Sequence, residues 1–154
     1  MNQYMKLAIE EAYYGIEHGH GGPFGTVIIR QGKVVGRGHN MVVLEQDPTC
    51  HGEMQAIRDA CKNLSSFDLS ECELYTTGEP CNMCLSACIW ANIKTVYYGC
   101  SISDNEYIGF RDKKIDDIFG REKVSSVISL IQVDREECIK LFDHYKSLPD
   151  KTVY

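Results

Sequence analysis

The sequence has no apolar run long enough to cross a membrane, and Met1 to Glu17 lacks the apolar stretch of a secretory signal. It also has no excess of basic residues: 16 Lys and Arg stand against 22 Asp and Glu, a net charge of −6. A large nucleic-acid interface needs clustered positive charge, which this balance argues against. No repeat, linker or low-complexity run interrupts the 154 residues. These absences predict one domain, residues 1–154, in a cytoplasmic protein with neither a membrane nor a nucleic-acid partner.

Cysteine, by contrast, is abundant, with eight residues. A chain of this length can bury a core without disulfides, and nothing else indicates an oxidising compartment. The spacing of the cysteines is therefore more informative than their number. Cys81 and Cys84 lie two residues apart, directly after Pro80, at the start of a predicted helix. This spacing is common in zinc sites, and thiolates suit that cation, so we predict that these two cysteines bind metal and the others are buried.

A second motif upstream, His51-Gly52-Glu53, completes a possible catalytic centre. A catalytic zinc has three protein ligands and one open position, and His51, Cys81 and Cys84 would supply the three. Glu53 would then take a proton from water and return it to the substrate. His-x-Glu together with Pro-Cys-x-x-Cys is the signature of zinc-dependent nucleobase deaminases. The motifs thus predict a hydrolytic deaminase with Zn²⁺ as its cofactor.

Two other interpretations of the cysteine pair remain open. A structural zinc site would need a fourth ligand, for which Cys50 and Cys88 are the nearest thiols. A redox Cys-x-x-Cys at a helix start would need no metal. Neither alternative gives Glu53 a role, and Cys88 shares a predicted helix face with Leu85, which favours a buried apolar environment. Catalytic zinc is therefore the preferred hypothesis.

The apolar periodicity predicts the element order α-β-β-α-β-α-β-α-β-α. A hairpin would open a mixed five-stranded sheet, parallel strands would follow, and helices would cover both faces. The expected fold is thus a three-layer α-β-α domain of the α/β class.

Several local features are predicted within this order. We expect a loop over residues 42–49, solvated histidines at His18 and His20, and a weakly patterned segment over 101–126 with a short helix near 113–119. Asp134 and Glu137 have the spacing of a capping box. For the helix that follows His51, periodicity predicts a buried face made of the larger apolar residues Met54, Ile57, Cys61 and Leu64.

At its motifs the sequence resembles the cytidine-deaminase-like superfamily and, within it, the bacterial guanine deaminases. The resemblance extends over essentially the whole chain. It includes segments outside the zinc motifs, namely Gly21-Gly22-Pro23-Phe24-Gly25, His39-Asn40, Asp47-Pro48-Thr49, Gly109-Phe110-Arg111-Asp112 and Tyr154. The resemblance implies the cytidine-deaminase-like fold and a homodimer that converts guanine, a small-molecule nucleobase, to xanthine and ammonia.

The resemblance also implies roles for residues that bind the base. Phe24 matches a residue that lines the ring slot, and Asn40 matches an asparagine that hydrogen-bonds the base. Asp112 matches an aspartate that accepts from ring N–H groups, and the backbone N–H of Gly52 is expected to face the substrate. Tyr154 matches an aromatic residue that closes over the base, in some relatives from the neighbouring subunit. The tail 149–154 is accordingly expected to cover the active site, with exchange between subunits as one arrangement.

The sequence departs from the family pattern in two places. Gly52 stands where alanine is usual, and Ser86 where glycine is frequent. His-Gly-Glu also occurs in fungal-type cytosine deaminases, as does a Thr-Thr start like Thr76-Thr77, so cytosine remains the alternative substrate. The tRNA adenosine deaminases share Asp-Pro-Thr-x-His-x-Glu, but they must hold a polyanion, which a chain of net charge −6 suits poorly.

Overall fold

The computed structural model describes residues 1–154 and contains seven α-helices, five β-strands and one 3₁₀ turn at Val124–Ser126. The helices are α1 (Gln3–Glu17), α2 (Val42–Glu45), α3 (Gly52–Leu64), α4 (Asn82–Trp90), α5 (Ile102–Tyr107), α6 (Asp112–Phe119) and α7 (Arg135–Ser147). The strands are β1 (Gly25–Arg30), β2 (Lys33–His39), β3 (Cys72–Gly78), β4 (Thr95–Cys100) and β5 (Ser129–Gln132). No helix combines the length and apolar character that crossing a bilayer requires.

The strands form a single mixed sheet in the order β2-β1-β3-β4-β5. Strand β1 pairs antiparallel with both β2 and β3, whereas β4 pairs parallel with β3 and with β5. The hairpin therefore forms one edge of the sheet, and crossover helices connect the parallel strands, as the sequence predicted.

Apolar side chains cover both faces of this sheet. On one face, buried residues of α1 and α7, such as Met5 and Phe142, pack against Val27 and Ile29 of β1. On the other face, small residues of α3 and α4 pack against Ile28, Leu74 and their neighbours. Alternate residues of β1 thus point to opposite cores, which confirms the three-layer α-β-α architecture.

The buried face of α3 differs from the predicted one. Its most buried positions are small or polar, namely Gly52, Glu53, Ala56 and Ala60, whereas the larger apolar residues of the predicted face are only half-buried. The cause lies on the neighbouring strand β2, where a Cβ atom at Gly36 would lie 2.6 Å from the Ala56 carbonyl oxygen. Glycine therefore lets the helix backbone approach the sheet closely, and this approach carries Glu53 into the interior.

Three further local predictions are wrong. Residues Val42–Glu45 form the short helix α2 rather than a loop. In the segment 101–126 the helix predicted near 113–119 is confirmed as α6, but the weak pattern over the rest was misleading, because α5 also forms there and begins with a capping box made by Ser101 and Asp104. Asp134 makes no side-chain cap; it has a left-handed backbone, and its carboxylate accepts from the Asn2 N–H at 2.9 Å. That long-range contact cannot be read from local spacing.

Candidate active site

The three predicted zinc ligands come together where helices α3 and α4 begin. His51 is the N-cap of α3, Cys81 is the N-cap of α4, and Cys84 lies in the first turn of α4. Both sulfur atoms are 3.5 Å from the Nδ1 atom of His51. Tetrahedral zinc with ordinary Zn–S and Zn–N bonds would place such atoms roughly 3.5 Å apart. The donor set and its spacing therefore fit Zn²⁺, with His51 binding through Nδ1.

The fold gives this place an electrostatic preference for anionic ligands. Two helix N-termini direct their positive ends towards it, which stabilises thiolate over thiol. A hydrogen bond from the Cys84 thiol and the neighbouring His51 ring lower the pKa of Cys81 to about 4. The cluster of potential metal ligands contains neither Cys50 nor Cys88, and Cys88 is fully buried in the apolar core between α4 and the sheet. A site with three ligands leaves the fourth position open, as catalytic zinc requires.

Glu53 lies beside these ligands in the first turn of α3, and only 5% of its surface is exposed. Burial, and then the charge of Cys81, raises the pKa of the Glu53 carboxyl to about 7. A bound zinc ion would favour the carboxylate and lower that pKa. A buried carboxyl group beside the metal ligands is placed to take up and release a proton, as a general acid–base must.

A cavity of about 190 Å³ opens next to the metal ligands. Most of the residues singled out in the sequence line it: the predicted metal ligands His51 and Cys81, the predicted acid–base Glu53, and the predicted base contacts Phe24, Asn40, Asp112 and Tyr154. Cys84 is fully buried behind Cys81. Gly52 is also buried and, like Cys84, does not line the cavity. A Cβ atom there would lie 3.0 Å from the Phe24 carbonyl oxygen, so this packing favours glycine over alanine.

The groups predicted to bind the base already have partners within the chain. Asn40 accepts through Oδ1 from the Val42 N–H at 3.1 Å and from the Tyr154 hydroxyl. The same hydroxyl accepts from the Gly22 N–H at 3.1 Å, and the Tyr154 ring meets Phe110 edge to face. The tail thus reaches the cavity of its own chain. Because both lone pairs of Asn40 Oδ1 are used, its amide NH₂ is the group left for a ligand.

Asp112, at the start of α6, faces the same cavity. Its Oδ2 accepts from the Asn105 amide nitrogen at 3.0 Å. Burial, and then the charge of Cys81, raises the pKa of the Asp112 carboxyl above its usual value. The cavity therefore offers a hydrogen-bond donor at Asn40 and an acceptor at Asp112.

A partly buried arginine that the sequence did not single out supports the candidate metal site. Arg121 pairs with Glu79 at 3.2 Å and with Asp116 of α6 at 2.6 Å, and it donates to the Pro80 carbonyl at 3.3 Å. It thereby connects the loop before Cys81 to the helix that begins with Asp112. The carboxylate of Glu79, next to Pro80, indicates that a cationic side chain should lie nearby. Nothing in the sequence shows which of the 16 Lys and Arg residues reaches it.

The expectation of solvated histidines holds for His18 and is wrong for His20. His18 is exposed, whereas His20 is half-buried. Its Nδ1 atom lies 2.8 Å from the Nε2 atom of His39, within hydrogen-bond distance. His39 in turn contacts Glu11 at 3.1 Å. Burial, and then the charge of His39, lowers the pKa of His20. These side chains support the strand end that leads to Asn40.

Comparison with known proteins points to one family. Residues 1–100 match the family described as cytidine and deoxycytidylate deaminase zinc-binding region. The chain is 38% identical to guanine deaminase of Bacillus subtilis (strain 168) over 151 residues, which cover 98% of this chain and 97% of that protein. It is also 33% identical to a tRNA-specific adenosine deaminase of Buchnera aphidicola over 142 residues, covering 92% of this chain and 91% of the relative.

A solved structure agrees with the sequence relatives. Guanine deaminase from Nitrosomonas europaea superimposes with a TM-score of 0.84 at 26% identity, covering 94% of this chain and 84% of that one. Because the superposition covers 94% of this chain, it extends well beyond residues 1–100 of the family match.

Proposed function

Because this chain belongs to the cytidine and deoxycytidylate deaminase zinc-binding family, we propose that it is a zinc-dependent hydrolase that converts guanine and water to xanthine and ammonia. The observation that carries this proposal is the cavity in which His51, Cys81 and Cys84 stand beside the buried Glu53. The similarity to a guanine deaminase over 98% of the chain supports the choice of base.

The roles of the residues follow from their positions. His51, Cys81 and Cys84 would hold the zinc ion, which when bound acts as a Lewis acid and lowers the pKa of a water molecule towards about 7. Glu53 would take one proton from the attacking water and give it to a ring nitrogen, then take the second proton from the hydroxyl formed at C2 and give it to the departing amine. A C–O bond forms at C2 of guanine, the C–N bond breaks, and ammonia leaves.

The hydrogen-bonding groups of the cavity support a base with a lactam edge. The Asn40 NH₂ group can donate to a ring carbonyl, and the free oxygen of Asp112 can accept from a ring N–H. Guanine offers both groups, whereas adenine has no carbonyl. Phe24 and Phe110 add apolar surface for the ring faces. The volume of about 190 Å³ is below the roughly 300–1,000 Å³ of sites for drug-sized ligands, which suits a free base.

A tRNA substrate, which the Buchnera relative is named for, is less well supported. Tyr154 lies across the cavity, so an anticodon loop could enter only after the tail had moved. The net charge of −6 also gives a polyanion little electrostatic attraction.

We also propose that the protein is a cytoplasmic homodimer in which each chain forms a single domain. All eight cysteines are unpaired, which fits a reducing compartment. Exposed apolar side chains on α4 and α6, Trp90, Ile118 and Phe119, suit contact with a second copy. The tail 149–154 contributes Tyr154 to the active site, either in its own chain or after exchange. Light scattering coupled to gel filtration measures the oligomeric state, and a monomer at micromolar concentration would contradict the dimer.

The activity is tested by ammonia release from guanine, cytosine, adenine, cytidine and guanosine, with zinc content measured in parallel. We expect guanine to be the preferred substrate; preference for cytosine would replace the proposed base, and no release from any of them would overturn the deaminase. A Glu53→Gln variant should keep its zinc and lose roughly 10²–10⁴-fold in kcat, the usual contribution of a general acid–base. The matched control is Glu73→Gln at an exposed position of β3, which should retain activity.

A structural zinc module and a dithiol redox protein predict other outcomes. A structural site would leave any activity intact in Glu53→Gln, and a redox protein would contain no stoichiometric zinc. Metal content together with the Glu53 variant therefore separates the three classes.

A further inference from the structure

The side chain of Asn105 on α5 has an unusual hydrogen-bonding state. Only 1% of the residue is exposed. Its Nδ2 donates to Asp112 Oδ2 at 3.0 Å and to the Glu79 carbonyl oxygen at 3.4 Å. Both neighbours are acceptors, so the NH₂ group must face them and the orientation of the amide is fixed. Its Oδ1 is left on the opposite side, buried and without a partner.

An unsatisfied buried oxygen destabilises a fold, so stability alone does not explain an asparagine at this position. A leucine has the same branching and would bury no polar atom of its own, but it would leave Asp112 and the Glu79 carbonyl without this donor. The advantage of asparagine lies in what Nδ2 holds. It occupies Oδ2 of Asp112, which leaves Oδ1 as the oxygen free to meet a base. Through the Glu79 carbonyl it also connects Asp112 to the loop that leads to Cys81.

We propose that Asn105 is a positioning residue for base recognition: it fixes the side chain of Asp112 so that one carboxylate oxygen faces the substrate beside the metal site. The inference rests on the proposed deaminase function and extends it to a residue of the segment 101–126, where the apolar periodicity is weak. Asn105 does not line the cavity and acts through Asp112.

The test compares wild type with Asn105→Leu, which removes the donor and the unsatisfied oxygen together. We expect the variant to keep its zinc content and to remain folded. Its unfolding midpoint reports the balance between removing an unsatisfied oxygen, which stabilises, and leaving Asp112 and the Glu79 carbonyl without this donor, which destabilises. Its kcat/KM for guanine should fall about ten- to a hundredfold, the effect of losing a hydrogen bond to a charged group. Most of this loss should be in KM. The dissociation constant of guanine, measured by equilibrium dialysis in a Glu53→Gln background, should rise by a similar factor.

A double-mutant cycle separates positioning from general packing. In an Asp112→Asn background, replacing Asn105 should change kcat/KM by less than twofold, because the group it positions is already lost. An equal loss in both backgrounds would overturn the inference, as would a folded Asn105→Leu protein with wild-type kcat/KM. Should Asn105→Leu not fold, Asn105→Ala removes the same donor and is judged by the same criteria.

Crystal structures of the wild type and the variant provide a readout that does not depend on turnover. The Asp112 side chain should leave its wild-type rotamer when Asn105 is replaced; an unchanged rotamer would refute the positioning role. Absence of guanine turnover in the wild type would instead refute the proposed function, and the two failures are thus distinguishable.

Discussion

Replacing Tyr154 tests whether the tail closes the active site. The Tyr154 hydroxyl bonds both Asn40 Oδ1 and the Gly22 N–H, and its ring lies edge to face on Phe110 with centroids 5.1 Å apart. A Tyr154→Phe variant removes the two hydrogen bonds and keeps the ring. A Tyr154→Ala variant removes the ring as well.

The magnitude follows from these contacts. Two hydrogen bonds of about 0.5–1.5 kcal/mol each amount to roughly 1–3 kcal/mol, or about five- to 150-fold in the equilibrium between closed and open tail. The ring of Tyr154 adds apolar burial of up to roughly 1.5–3 kcal/mol, so Tyr154→Ala should have the larger effect. Both variants should raise KM for guanine, because an open tail leaves Asn40 free to turn and admits water to the cavity.

Steady-state kinetics with guanine and thermal unfolding provide the measurements. The matched control is Tyr107→Phe on α5, where the ring is 65% exposed and contacts the ammonium group of Lys146. That variant should behave as wild type. Removal of Val153 and Tyr154 together should likewise impair turnover far more than folding. Unchanged guanine kinetics in Tyr154→Ala, or an equal loss in Tyr107→Phe, would refute closure by the tail.

Three further predictions concern the surroundings of the site. Arg121→Met breaks the partly buried pairs before Cys81 and should lower the free energy of unfolding in urea by about 1–3 kcal/mol and release zinc at lower chelator concentration; unchanged zinc retention would contradict this. The pKa of His20 lies below its unfolded value of 6.5, so the unfolded chain binds more protons and stability should fall as the pH drops through 6.5. His20→Asn should flatten this fall, and an identical pH profile would contradict the assignment. Leu74→Ala, at a fully buried position of β3, should lower the free energy of unfolding by about 2–5 kcal/mol, and a loss below 1 kcal/mol would show that the sheet centre can repack.

The grouping of the three proposed zinc ligands could be predicted from the sequence because the information is local. His51, Cys81 and Cys84 each stand at a helix start, and the spacing of the motifs alone specifies the donor set. The element order was predictable for a similar reason, since periodicity within each segment reports which face is buried.

The buried face of α3 was not predictable, because it depends on a neighbouring strand. Large apolar residues would normally mark the core side, yet Gly36 and Gly38 on β2 admit the helix so closely that Ala56 and Ala60 fill the interface. A pattern within one helix carries no information about space left by another element.

The supporting residues of the site were missed because their contacts join distant parts of the chain. Arg121 reaches back 42 residues to Glu79, and Asn105 reaches Asp112 from a separate short helix. Short helices show little periodicity, and polar residues on them look like ordinary surface residues until the fold is known.

The metal cluster has a thermodynamic consequence beyond catalysis. Zinc held by His51 and Cys84 would bridge residues 33 apart in sequence and close a loop that contains β3. By the chain-entropy estimate used for disulfides, a cross-link over a loop of this length raises the free energy of the unfolded state by roughly 4 kcal/mol. Replacing a ligand would therefore remove a cross-link as well as a reactive centre, whereas a change at Glu53 leaves the cross-link in place.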